Sequence, residues 1–80
     1  MDWLTETTLQ LARATGLDPA DLMIDARAAE TLLDLAGAAA HATGERTNAP
    51  LLCHVLGRAV GRGATLDDCA RVVRDIVGEA

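Results

Sequence analysis

The chain has no lysine, serine, tyrosine or phenylalanine, and a single tryptophan among its 80 residues. Its positive charge therefore rests on 7 arginines against 12 acids, a formal net charge of −5. Nonspecific nucleic-acid binding and adhesion to anionic membranes both depend on an excess of Lys and Arg, so neither is expected here. No run approaches the roughly 18 uninterrupted apolar residues of a membrane span. The opening "MDWLTETTLQ" carries two acids and no basic segment, unlike a secretion signal. Two cysteines without such a signal read as reduced thiols of a cytoplasmic protein, not as a disulfide framework.

Strand signals are missing as well. β-branched residues are scattered and nothing alternates with period two, whereas helical periodicity is clear. The reading is an all-α, compact bundle of four main helices plus one short helical turn, in a single domain over 1–80. Helices are predicted at about 2–15, 19–24, 25–43, 50–62 and 66–78. Asp2, Asp18 with Pro19, and Thr65 supply start signals, with Asp68 completing a weak capping box. Gly16 and Gly44 supply stops. The expected buried stripes are Trp3, Leu4, Leu11 and Ala14 on the first helix, and Ala29, Leu32, Leu33, Ala36 and Ala40 on the long one. Leu52, Val55, Leu56 and Ala59 follow on the next, and Leu66, Cys69, Ala70, Val73, Ile76 and Val77 on the last. With 16 Ala against 12 Leu, such a core has thin layers, and a partner or a second copy could complete it.

One stretch differs from the rest. "HATGERTNAPLLCHVLGRAVGRG", His41 to Gly63, gathers both histidines, three arginines, four glycines and a proline. Cys53 and His54 are adjacent, but neighbours on a helix point about 100° apart, so they cannot form a thiol–imidazole pair. Only His41, across the loop, could activate Cys53. No CxxC or HxxxH spacing supports zinc, and no cofactor or metal is expected. Without strands, the glycines of "GRAVGRG" are not a nucleotide fingerprint. Surface pairing is expected between Arg71 and Asp67 or Asp75, and between Arg27 and Glu30.

His54, Arg58 and Arg62 recur at i, i+4 and i+8 and form one ridge. No acid lies three or four residues from either arginine. Gly57 and Gly61 sit on an adjacent face at GxxxG spacing, and mid-helix glycine costs about 1 kcal/mol relative to Ala. Close packing of Gly57 and Gly61 would offset that. Within the chain, Ala38, Ala39 and Ala42 could approach the glycines, while Glu30, Asp34 or C-terminal acids could pair with the arginines. From outside, an acidic partner or a phosphate group could bind.

Length, acidity and helix count also suit an acyl or peptidyl carrier, and "GLDPADLMIDARAAETLLDL" superficially resembles a carrier's second-helix region. Such carriers attach phosphopantetheine to a serine hydroxyl, and this chain has no serine to receive it. A different resemblance covers about residues 10–64. "AAAHATGERTNAPLL" and "LGRAVGRG", with His41, Arg46, Pro50, Gly57, Gly61, Arg62 and Gly63, resemble a small helical bacterial domain of unknown function. That domain is found alone or fused to molybdopterin-guanine dinucleotide biosynthesis proteins, the molybdenum cofactor guanylyltransferases. Thr47-Asn48 departs from its pattern, which has Pro after the Arg and hence a stiffer loop. The resemblance implies an association with molybdenum-cofactor maturation or molybdoenzymes, not an activity.

The expected function is a non-catalytic accessory or interaction module. Its binding surface is His41, Arg46, His54, Arg58 and Arg62, and its partner a molybdenum-cofactor biosynthesis enzyme or a molybdoenzyme. The alternatives are a structural homodimer, with the Gly57/Gly61 face or Trp3 at its interface, and a small enzyme using His41 with Cys53.

Overall fold

The computed structural model describes residues 2–78. Among them are α1 (Trp3–Thr15), α2 (Pro19–Leu22), α3 (Ala26–Thr43), α4 (Asn48–Gly61) and α5 (Leu66–Ile76), with no strand. The architecture is all-α, with four main helices and one short one. No described helix is long and apolar enough to cross a membrane.

Short acidic or hydroxyl side chains start four of the helices by accepting from orphan N–H groups. Asp2 accepts from Thr5 at 2.7 Å, Asp18 from Ala20 at 3.0 Å, Asp25 from Ala28 at 2.8 Å and Thr65 from Asp68 at 3.1 Å. The capping box after Thr65 stays half-made, because the Asp68 carboxylate instead accepts from Arg71 at 2.9 Å. At the other ends, Gly44 takes φ 70° and Gly63 takes φ 110°, a left-handed backbone that disfavours any side chain. Past Gly63, the Ala64 N–H returns to Ala59 O at 3.1 Å and closes α4.

α4 begins at Asn48, two residues before the expected proline start. Asn48 and Ala49 donate back to Glu45 O at 3.1 Å and Arg46 O at 3.2 Å, so the turn is already wound before Pro50. Pro50 then stands in the first turn, where its missing N–H would have had no helical partner.

α3, α4 and α5 pack on one another around buried Leu35, Leu56, Ala70 and Val73, with Leu32, Leu52, Cys69 and Val77 against them. The backbone of α1 approaches only α2, and α2 approaches no helix of that trio. This layout corrects several predicted stripes. On α3 the buried residues are Leu35 and Ala39, while Leu33 is 73% exposed. Two residues of helix are a 200° rotation, and Leu35 is the one that meets the core. On α1 the buried residue is Ala12, and Trp3, Leu4, Leu11 and Ala14 are all exposed because no bundle helix covers them. Val55 and Ile76 also stand exposed, on the outer margins of their faces.

The ion pairs differ too. Arg27 reaches Asp67 at 3.2 Å, joining α3 to α5, instead of Glu30 in its own helix. With Asp67 engaged there, Arg71 pairs with Asp68 at 2.9 Å rather than with Asp67 or Asp75.

Candidate functional site

The joint between α3 and α4 is organised by Thr43. Its hydroxyl donates to Ala39 O at 2.7 Å and accepts from the Glu45 N–H at 3.2 Å and the Asn48 side-chain amide at 3.0 Å. Asn48 thus supplies a hydrogen bond across the loop. Arg46 is exposed within that loop.

The sequence-predicted surface divides. At 100° per residue, His41 lies on the side of α3 facing away from buried Leu35 and Ala39, in line with exposed Glu30 and Asp34. His54, Arg58 and Arg62 lie together on the exposed side of α4, roughly opposite buried Leu56. No hydrogen bond or ion pair among the described residues links His41 or Arg46 to that ridge. Cys53 is half-buried and His41 is on the outer face of α3, so the two are not brought together. Among the described residues there is no group of three or more His, Cys, Asp or Glu that could hold a metal ion.

Neither intramolecular reason for the ridge and the glycines is seen. Arg58 and Arg62 make no ion pair with Glu30, Asp34 or Asp75, and the pairs formed among the described residues belong to Arg27 and Arg71. Glu79 lies outside the described residues. A Cβ placed on Gly57 or Gly61 would meet nothing within 4 Å beyond its own helix and chain neighbours. Ala38, Ala39 and Ala42 therefore do not close on them. Instead the two glycines line an open groove of about 750 Å³, across from Met23 and Ile24 in the link from α2 to α3.

Two more residues complete the surface: Val55, expected in the core, and Leu51, which the sequence assigns to no face. Leu51 and Val55 are 64% and 59% exposed, and they precede Arg58 and Arg62 at spacings of 4, 3 and 4. That spacing puts all four on one stripe of α4, apolar at one end and cationic at the other. Beside the apolar end, Leu51, Val55 and Ile76 border a shallow hollow of about 330 Å³ whose base includes Leu52 and Val73. The spacing was visible in the sequence, but Val55 read as core because it also lies one turn from Leu52.

Chemically the stripe can bind but has little with which to catalyse. It holds no carboxylate and no nucleophile, and its cations belong to arginines, which do not exchange protons near neutrality. Neither a curated protein nor a solved structure matches the sequence. A family profile does match, over residues 1–80, and the chain belongs to that family, the domain of unknown function DUF6457.

Proposed function

We propose that this domain is a non-catalytic interaction module that docks an acidic protein partner on the stripe of Leu51, Val55, Arg58 and Arg62, with His54 at its edge. The observation that carries the reading is the contrast among the arginines. In a chain of net charge −5, Arg27 and Arg71 are neutralised within the fold while the other five arginines are not, among the described residues, and of those five only Arg58 and Arg62 stand one turn apart on the same helix face. The carbonyl end of α4 attracts both cations, by about 0.3–1 kcal/mol at an exposed terminus, but leaves their charge open to solvent.

A protein segment suits this surface better than a free phosphate. Phosphate sites draw on backbone N–H groups at a helix N-terminus or a loop nest. Here the nearest helix end is a C-terminus, which offers a phosphate no free N–H groups. Exposed Leu51, Val55 and Ile76 further favour a ligand with apolar side chains beside its acids. The family resemblance directs the choice of partner towards a molybdenum-cofactor guanylyltransferase or a molybdoenzyme, in a cytoplasmic setting.

The test is binding of the purified host guanylyltransferase to the wild-type domain and to Arg58→Ala/Arg62→Ala, in salt from about 50 to 500 mM, across which exposed charges become largely screened. The reading expects at least about tenfold weaker binding by the variant, equivalent to about 1.4 kcal/mol, with a flatter salt dependence. Equal affinity of the two proteins at every salt concentration would remove the ridge from the account.

A further inference from the structure

This chain leaves more surface in water than its size requires. A folded monomer of 8.3 kDa exposes about 4,600 Å² by the usual size scaling. This chain exposes 5986 Å², roughly 1,400 Å² more, ends included. Its Cα radius of gyration is 13.6 Å, where a fully compact fold of this length has about 11.6 Å. Standard interfaces bury about 800 Å² per partner, and obligate homodimers about 1,000–2,500 Å². The excess falls in the dimer range.

Two unpartnered apolar features stand out on this surface. One is the outer face of α1, where Trp3, Leu4 and Leu11 are each at least half exposed. The 100° step per residue puts Glu6 and Arg13 together on a separate flank, so this face can be covered without burying either of these charges of α1, a step that would otherwise be costly. The other is the 750 Å³ groove between the α2–α3 link and α4, walled by Met23, Ile24 and Val60, with Asp21 and Asp25 also in its lining, and bordered by Gly57 and Gly61. The absence of any atom near a Cβ at either glycine leaves room for a helix backbone to come close. Within one chain the α1 backbone meets only α2, so its apolar face stays bare and the groove stays open.

We infer that the domain is a reciprocal homodimer in which α1 of each copy lies in the α2–α4 groove of the other, with Trp3 and Leu11 as anchors over Gly57 and Gly61. Each chain supplies one helix and one groove, and a two-fold axis that makes the exchange reciprocal closes it at two copies. The arginine stripe lies about a third of the way round α4 from the glycines and remains available to the partner proposed above.

The test is sedimentation of the full chain from low to high micromolar concentration, with emission from Trp3, the single tryptophan, read on the same samples. The expected result is a species of twice 8.3 kDa, with Trp3 emission moving to shorter wavelength along the same concentration curve. Gly57→Leu/Gly61→Leu fills the groove, and leucine favours helix over glycine, so the variant monomer retains its helicity by circular dichroism. Its dimerisation midpoint is expected to rise at least about a hundredfold, roughly 2.7 kcal/mol. Trp3→Ala/Leu11→Ala should act in the same direction. A wild-type monomer throughout, whatever its Trp3 emission, would overturn the inference. So would a dimer unmoved by both variants.

Discussion

The Asn48 side-chain amide donates to the Thr43 hydroxyl at 3.0 Å, tying the end of α3 to the start of α4 across the loop. The same hydroxyl holds Ala39 O and the Glu45 N–H, so one side chain serves the helix it ends, the loop and the next helix. Thr43→Val keeps the shape and removes all three bonds. It is expected to lower stability by about 1–2 kcal/mol, against about 0.5–1 kcal/mol for Asn48→Ala. Urea unfolding of the single and double variants should show less than additive losses, because the two share a bond.

The rotation of α3 is testable with two leucines. Leu35 is 1% exposed and Leu33 is 73% exposed. Leu35→Ala should cost about 2–5 kcal/mol, enough to unfold much of a domain whose total stability is expected to be only a few kcal/mol. Leu33→Ala should change stability by less than about 0.5 kcal/mol. Thermal melts of the two variants separate this arrangement from one in which Leu33 faces the core.

Local signals carried most of the fold. Helix starts at Asp2, Asp18 and Thr65, and stops at Gly16, Gly44 and Gly63, depend on neighbours a few residues away, and such chemistry is written in short stretches. The choice of buried face was less legible. In an Ala-rich helix such as α3, several rotations present a continuous apolar face, and only packing against α4 and α5 selects the one centred on Leu35. α1 shows the opposite problem: Trp3, Leu4 and Leu11 form a proper apolar face, yet nothing in this chain covers it. For the site, His54, Arg58 and Arg62 came from spacing alone. Their apolar continuation through Leu51 and Val55 emerged only once the exposure of those two side chains was known. Arg27–Asp67 spans 40 residues, a separation at which no local pattern operates.

Removing the ridge should leave the fold standing. Arg58 and Arg62 are exposed and have no ion pair among the described residues, so Arg58→Ala/Arg62→Ala forfeits little beyond their attraction to the helix end. Chemical denaturation is expected to place the double variant within about 1–2 kcal/mol of the wild type. A larger loss would mean that the two arginines hold the fold together.

Acid should loosen the start of α1. Asp2 accepts from the Thr5 backbone N–H, and this bond, followed by one from the Thr5 side chain, holds its carboxyl below the ordinary value. A group whose folded value is depressed stabilises the fold above the unfolded value, near pH 4, and loses that contribution as the pH falls through the folded value. The Thr5 amide signal should therefore titrate with a midpoint below the ordinary carboxylate range, and Asp2→Asn should abolish that titration.

The docking stripe is tested most directly by titrating the unlabelled guanylyltransferase into the ¹⁵N-labelled domain and following the amide signals. The account predicts that the signals of Leu51, Val55, Arg58, Arg62 and neighbouring Ile76 shift or broaden first, with those of Glu30, Asp34 and His41 unmoved. Perturbation confined to the outer face of α3, with the α4 stripe silent, would contradict it.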